Sequence, residues 1–165
     1  MKNVPVLSAY FSRSGNTRVI AEQIHRIAGG DLFEIVPVDP YPSDYDAVVD
    51  QARSELDRKF LPRLRSNVTN MEACTMVFIG YPNWWSTIPR PVAAFLSDYD
   101  FTGKTIAPFC THGGGGMGRS IEDIRDFCPK ATVLDGLAIP GGNVNHAKDA
   151  VAGWLQKTKM KMGKD

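Results

Sequence analysis

The chain has 165 residues, of which 43% are hydrophobic and 22% are charged, a length and composition typical of one globular domain with a full core. Its formal net charge is only +1, so no strong field favours nucleic acid or an anionic membrane as a partner. Cys74, Cys110 and Cys128 are odd in number and lack metal-binding spacing, which fits a reducing compartment. We therefore expect a soluble, cytoplasmic protein that binds neither nucleic acid nor a membrane.

The first half of the chain alternates between strand and helix patterns. Residues 5–11, "PVLSAYF", form an apolar run typical of a buried strand, and a helical pattern follows until Gly29-Gly30. Residues 31–38 predict a second strand. A second helix is predicted from Tyr45 to Phe60, because its apolar residues share one face.

The second half of the chain repeats this alternation. Further strands are predicted over residues 75–81, 104–111 and 132–139, and further helices over residues 91–97, 121–127 and from Ala147 onward. Pro129 ends the fourth helix, since a residue before proline is pushed out of the helical region.

Five strands that are apolar on both faces and alternate with five helices predict a parallel sheet covered on both sides. We predict an α/β fold, a three-layer doubly wound sandwich, with one domain over residues 1–158 and a disordered basic tail over residues 159–165. In such a sheet, ligands bind outside the carboxyl ends of the strands. The candidate site therefore comprises three loops, residues 12–17, 82–88 and 111–119.

The first loop, "SRSGNT", is rich in hydrogen-bond donors. Gly15 stands where the chain must turn sharply into a helix, whose exposed N–H groups favour an anion. Ser12, Ser14, Asn16 and Thr17 surround it, and they favour a phosphate over simple capping of the helix by Ser14 or Asn16. No lysine follows in the pattern of a nucleoside triphosphate site.

The second loop, "GYPNWWSTIP", places Trp84 and Trp85 at the mouth of a strand. One of the two could pack under the third helix, but adjacent side chains point apart. We therefore expect at least one tryptophan to offer a flat face to a planar ligand.

The third loop, "THGGGGMGRS", matches the GxGxxG pattern over residues 113–118 and a degenerate phosphate-loop pattern over residues 113–120. Four consecutive glycines make such matches common, and too little chain follows for a dinucleotide fold. We interpret the glycines as allowing the backbone to approach the edge of a flat ligand, and Ser120 with Asp123 as a capping box.

A phosphate site, an aromatic clamp and a polar backbone rim together describe a flat ring tied to a phosphate, as in flavin mononucleotide (FMN). The sequence also resembles the flavodoxin family: "SRSGNT" is similar to its phosphate loop, and "YPNWW" and "THGGGG" to its two flavin-ring loops. The resemblance implies a five-stranded sheet of order 2-1-3-4-5, the order for which flavodoxin is the standard example. It implies a phosphate site at Ser12, Ser14, Gly15, Asn16 and Thr17, and a ring site at Pro82, Asn83, Trp84, Trp85, Thr111, His112, Gly113, Gly114 and Gly115.

Two departures from this family bear on function. Electron-carrying flavodoxins are usually strongly acidic, and their ring loop has a small residue that allows a peptide to flip, whereas this chain is nearly neutral and "PNWWST" has no glycine. His112 and Arg119, if near the ring, would favour negative charge on a reduced flavin.

We therefore expect an FMN-binding redox protein that carries electrons between redox partner proteins. The alternative is an FMN-dependent NAD(P)H:quinone-type reductase that acts on small acceptors. A receiver domain is rejected because its acidic residues are missing, and a hydrolase because no nucleophile elbow is present. A thiol dyad of Cys110 with His112 is disfavoured, and a binding module without flavin stays open.

Overall fold

The computed structural model describes residues 5–162. Strands and helices alternate along it as the hydrophobic pattern predicts. In chain order they are β1 (Val6–Tyr10), α1 (Asn16–Ala28), β2 (Asp31–Glu34), α2 (Tyr45–Asp57), β3 (Met76–Pro82), α3 (Arg90–Asp98), β4 (Thr105–His112), α4 (Ser120–Phe127), β5 (Thr132–Val133), β6 (Leu137–Pro140) and α5 (Lys148–Met162).

The strands form one parallel sheet in the order β2-β1-β3-β4-β5, which confirms the predicted order. The pairing register sets Tyr10 opposite Gly80, and Gly80 opposite Phe109. At the carboxyl edge, Pro82 of β3 lies opposite Thr111 of β4. Because every strand runs the same way, the loops that follow β1, β3 and β4 meet at this edge.

Two hydrophobic cores, one on each face of the sheet, complete the three layers. Residues of α1 and α5, such as Ile24 and Val151, pack with Phe109 on one face. On the other face Phe95 of α3 and Ile124 of α4 pack with the remaining strand residues. The alternation of strand side chains between these two cores explains why the central strands β1, β3 and β4 are largely apolar on both faces.

The fifth strand is not the continuous segment over residues 132–139 that the sequence predicts. It is divided into β5 and β6, and both pair with β4. The Leu134 N–H donates to the Ile106 carbonyl (2.9 Å). The next hydrogen bond of this ladder would need a backbone N–H from residue 108 of β4, which is a proline. Proline has no N–H, so the ladder is interrupted at this point and resumes at Leu137.

Two further boundaries also differ from the sequence prediction. Strand β2 ends at Glu34 rather than at residue 38, because Pro37 has left the sheet to form an isolated bridge with Leu64. Helix α5 continues to Met162, so residues 159–162 are helical and not a disordered tail. Residues 163–165 of the predicted tail lie outside the described residues.

The contact between Gly80 and Phe109 supports a stability prediction. A Cβ at Gly80 would overlap the Phe109 ring, which is fully buried, whereas a Cβ at Gly153 in α5 would meet open space. We expect Gly80→Ala to lower the free energy of unfolding by about 1–3 kcal/mol through overpacking. Gly153→Ala should raise it by about 0.5–1 kcal/mol, since alanine favours the helix. Urea unfolding measures both free energies, and equal stability of the two variants would contradict the close contact between Gly80 and Phe109.

Candidate functional site

A cleft of about 570 Å³ opens at the carboxyl edge of the sheet. It lies where the strand order reverses between β1 and β3, the position at which doubly wound sheets bind ligands. Residues of all three predicted loops line it, namely Ser14, Asn16, Pro82, Asn83, Trp84, Trp85, Thr111, His112 and Gly113. The structure thus brings together nine of the residues predicted from sequence.

The loop before α1 is shaped by Gly15, which has a φ of +96° and occupies the N-cap position. This left-handed conformation favours glycine. The Ser12 hydroxyl accepts a hydrogen bond from the Gly15 N–H (3.1 Å) and so closes the turn, and Ser12 does not line the cleft. Ser14 and Asn16 line the cleft beside the first turn of α1, whose N–H groups lack intrahelical partners.

Thr17 is buried, and its hydroxyl lies 2.8 Å from that of Thr111, which is also buried. The sequence prediction placed both hydroxyls on a ligand, Thr17 on the phosphate and Thr111 on the ring. In the structure Thr111 lines the cleft but Thr17 does not. The bond between them instead fastens the start of α1 to the end of β4.

Trp84 and Trp85 occupy different environments, as expected of adjacent side chains. Trp84 is half-buried and stands edge-on to Phe11 (5.2 Å between ring centroids) and to Tyr41 (5.0 Å). Trp85 is 43% exposed, its Nε1–H donates to the Val49 carbonyl of α2 (3.0 Å), and the Arg53 guanidinium lies over its ring. Both tryptophans line the cleft, and the stacking of one of them on a planar ligand stays a prediction.

The ring loop makes a tight turn in a conformation that usually requires glycine. Trp84 and Thr87 exchange backbone hydrogen bonds of 3.1 and 3.2 Å around Trp85 and Ser86, whose φ angles are +55° and +64°. Positive φ at both central residues is the pattern of a type I′ turn. For an aromatic residue this conformation is strained, at a cost of order 1–3 kcal/mol.

The third loop holds this strained turn in place. The Ser86 carbonyl accepts a hydrogen bond from the Arg119 N–H (2.8 Å), and it occupies the space where Gly118 would carry a Cβ. The Asn83 side chain donates to the Gly116 carbonyl (2.7 Å). Glycine at residue 118 therefore allows the two loops to approach each other, whereas the sequence prediction assigned the close approach to a ligand.

His112 is fixed in one orientation by its own loop. Its Nδ1 accepts a hydrogen bond from the Gly114 N–H (2.9 Å), so in the neutral imidazole the proton is on Nε2. His112 and Gly113 line the cleft, whereas Gly114 and Gly115 do not. The histidine therefore can offer a donor, Nε2–H, at the cleft without becoming charged.

Arg119 does not lie at this cleft. Its Nε is 3.4 Å from a carboxylate oxygen of Asp123, one turn further along α4. The predicted capping box is wrong as well, because Arg119 is the N-cap residue, and the Ser120 hydroxyl donates to the Met117 carbonyl and accepts from Tyr81. Of the two residues expected to favour negative charge on a reduced flavin, only His112 lines the cleft.

Two walls of the cleft were missed by the sequence prediction. One is the α2 face formed by Tyr45, Val48, Val49 and Ala52, which the sequence pattern assigns to the core. The other is Gly141-Gly142, which follows β6. A Cβ at Gly141 would lie 2.8 Å from the Asn16 side-chain nitrogen. Two glycines directly after a strand, at the ligand-binding edge of the sheet, were a signal that could have identified this wall.

Arg13 was also left out of the predicted site. It lines the cleft together with Tyr45, and its guanidinium donates to the Ser43 carbonyl (2.9 Å) and lies 5.9 Å from the centre of the Tyr45 ring. These two contacts place the Arg13 guanidinium at the cleft, on the side of Ser14.

The fold and the cleft define a doubly wound α/β protein with a ligand site at its topological switch point. The chain belongs to the flavodoxin family, since residues 5–158 match the family model described as Flavodoxin. This finding confirms the resemblance seen in the sequence.

Solved structures agree with the family. A protein assigned as a flavoprotein from Bacteroides eggerthii is 32% identical, with a TM-score of 0.75 and 90% of this chain and 98% of that chain covered. A flavoprotein from Lactobacillus acidophilus in complex with FMN is 21% identical (TM-score 0.70, 87% and 97% covered). The FMN-bound flavodoxin of Fusobacterium nucleatum is 13% identical (TM-score 0.60, 95% and 98% covered), and these last two show the fold alone.

No curated protein matches the chain. Within residues 5–162, none of the helices has the length and hydrophobicity needed to cross a lipid bilayer.

Cys110 gives a prediction about pH. The thiol is buried and faces the Gly116 carbonyl (3.3 Å), and burial raises its pKa to about 12. An unfolded thiol has a pKa of about 8.5, so the unfolded state loses its proton first as the pH rises. We expect this thiol to contribute a decrease in the free energy of unfolding of up to about 1.4 kcal/mol per pH unit between about pH 9 and pH 12. Urea unfolding of Cys110→Ala should show a shallower decrease over this range than the native chain, and parallel curves would contradict the assignment.

Proposed function

We propose that the protein is an FMN-binding redox protein that carries electrons between redox partners. The observation that supports this most strongly is a single cleft that joins a donor-rich helix start to an aromatic and apolar wall. The structurally similar proteins from L. acidophilus and F. nucleatum have FMN bound, which supports the same cofactor here.

The residues of the cleft fit FMN at both ends. Ser14 and Asn16 stand beside the first turn of α1, where unpaired N–H groups and the helix dipole favour a phosphate. Val48, Val49, Ala52 and the two tryptophans provide an apolar wall suited to an isoalloxazine ring. The volume of about 570 Å³ is within the usual range for small-molecule sites.

The bound flavin would supply the electron-transfer chemistry, while the protein groups position it and set its potential. Ser14, Asn16 and the α1 N–H groups would hold the phosphate. The His112 Nε2–H would donate to an acceptor atom in the cleft, because the Gly114 N–H occupies Nδ1. The wall formed by α2 and Trp85 would cover one side of the bound ring, since the Trp85 indole is hydrogen-bonded to α2.

A second candidate is an FMN-dependent oxidoreductase that reduces small acceptors such as quinones with NAD(P)H. The specific observation in its favour is the fixed ring loop. The Ser86 carbonyl is held by the Arg119 N–H and packed against Gly118, so its peptide is not free to turn toward a ligand. The net charge of +1 also provides no acidic surface to steer basic partner proteins.

FMN affinity tests the placement of the phosphate. We expect Ser14→Ala to weaken FMN binding about ten- to a hundredfold, because a hydrogen bond to a charged group contributes ~1.5–3 kcal/mol. Thr17→Val should instead mainly lower stability, by about 1–3 kcal/mol, since the buried Thr111 hydroxyl loses its partner. Quenching of flavin fluorescence measures affinity, and Ser66→Ala, at an exposed position, is the control. Unchanged affinity in Ser14→Ala would show that the phosphate lies elsewhere.

The fixed ring loop also makes a prediction about reduction. We expect anaerobic titration of the FMN-loaded protein with dithionite to proceed in a single spectral phase, with no long-wavelength band at half-reduction. The second candidate, the reductase, additionally predicts NAD(P)H oxidation in the presence of a quinone, whereas the electron carrier predicts none. A strong long-wavelength band without NAD(P)H oxidation would exclude the reductase and leave the electron carrier.

A further inference from the structure

A second cleft, of about 740 Å³, lies between the end of α2, the start of α3 and α4. We name it the Arg90 cleft, after the arginine that lines it together with Leu61, Ile88, Arg119 and Phe127. A narrow gap lies between this cleft and the cleft of the candidate site, which we call the FMN cleft. Ala52 and Trp85 line both the gap and the FMN cleft, whereas Leu56 and Arg90 line both the gap and the Arg90 cleft. The second cleft therefore adjoins the proposed ring site behind Trp85.

Arg90 is an unusual residue to find in such a position. Its side chain is only 9% exposed, its Nε–H donates to the Phe60 carbonyl (2.7 Å), and its guanidinium lies 5.9 Å from the centre of the Phe127 ring. Within residues 5–162, its two Nη groups have no hydrogen-bond partner and no carboxylate lies within ion-pair distance. Neither Nη group is among the fully buried polar atoms of the described residues that lack a partner, so both stay accessible from the cleft and can pair with an anion.

One buried carboxylate among the described residues favours the charge of Arg90 without forming an ion pair with it. Glu55 is buried and favours the charged form of Arg90, but its carboxylate accepts hydrogen bonds from Tyr41 and Gln51. Burial nevertheless lowers the pKa of Arg90, which means that the surroundings as a whole disfavour its charge.

The other charges that line the Arg90 cleft mostly neutralise one another. Arg53 pairs with Asp57 (3.2 Å), and Arg119 pairs with Asp123 (3.4 Å), which also accepts from the Thr87 hydroxyl. Lys59 and Asp126 complete the charged lining and balance in charge. The described lining thus carries one more cation than carboxylates, and Arg90 is its buried cation with no carboxylate within ion-pair distance.

The remaining walls of the cleft are apolar, formed by Leu56, Leu61, Ile88 and Phe127. A recessed arginine surrounded by apolar side chains suits a small organic molecule with one anionic head group. We propose that the Arg90 cleft binds a small organic anion, whose carboxylate or phosphate pairs with the Arg90 Nη groups and whose apolar body packs on Ile88 and Phe127. The site is separate from the proposed FMN site and does not depend on it.

The experiment compares a charged and a neutral probe of the same shape. Benzoate and benzamide are titrated into the ¹⁵N-labelled full chain in a buffer free of phosphate, and amide shifts are followed by NMR. Benzoate should give saturable shifts at Leu61, Ile88 and Phe127, and benzamide should bind at least tenfold more weakly. Inorganic phosphate, which lacks an apolar body, should also bind more weakly than benzoate.

Variants connect the binding to Arg90. Arg90→Met keeps the length of the stem and should raise the dissociation constant of benzoate at least tenfold, while Arg26→Gln, at an exposed position on α1, should leave it unchanged. FMN affinity, measured separately, should be the same in Arg90→Met as in the native chain.

Equal binding of benzoate and benzamide, shifts confined to the FMN cleft, or unaltered benzoate affinity in folded Arg90→Met would each overturn the proposal. Binding of a polyglutamate peptide without any binding of benzoate would also overturn it, in favour of an acidic protein partner. If Arg90→Met fails to fold, the comparison of the two probes in the native chain still decides. Loss of FMN binding would not affect this result, because the two clefts are titrated independently.

Discussion

The hydrogen bond between the Thr17 and Thr111 hydroxyls joins the two halves of the candidate site. It lies within the protein, and it links the first turn of α1, where a phosphate would bind, to the end of β4, from which the loop of His112 begins. A bond between two buried hydroxyls is worth about 1 kcal/mol, but leaving one of them unpaired costs more. The relative position of the phosphate end and the ring end of the cleft therefore depends on a pair of residues that are 94 positions apart in sequence.

The ring loop illustrates how neighbouring loops stabilise a strained conformation. Trp85 and Ser86 adopt left-handed backbone angles that neither residue favours alone. Two hydrogen bonds from outside the turn offset this cost, namely the Arg119 N–H on the Ser86 carbonyl and the Trp85 indole on the Val49 carbonyl. The missing Cβ at Gly118 leaves room for the Ser86 carbonyl. Because these contacts come from α2 and the third loop, the aromatic wall is fixed before any ligand arrives, which lowers the entropy lost on binding.

Trp85 also connects the two clefts. Its indole lines the FMN cleft, and its ring lies under Arg53, which lines the Arg90 cleft. The two clefts have no lining residue in common, so the contact between Arg53 and Trp85 lies between them.

Much of this protein could be predicted from its sequence. The strand and helix order, the parallel sheet, and the three loops at its carboxyl edge followed from hydrophobic period and from glycine and proline positions, because these signals act within a few residues. Residues such as Ser14 and His112 stand directly after predicted strands, so topology alone placed them at the site.

What the sequence could not determine depended on contacts between distant segments. The break between β5 and β6 arises from Pro108 on the neighbouring strand, and Arg119 is drawn away by Asp123 and by the Ser86 carbonyl. Packing across the sheet edge likewise determines that Ser12 bonds within its own turn, that Thr17 is buried and that α2 forms a wall of the cleft. Local pattern decided which elements form and where a ligand site must lie. The tertiary structure decided which side chains face that site, because hydrogen bonds between loops compete with the ligand for the same donors.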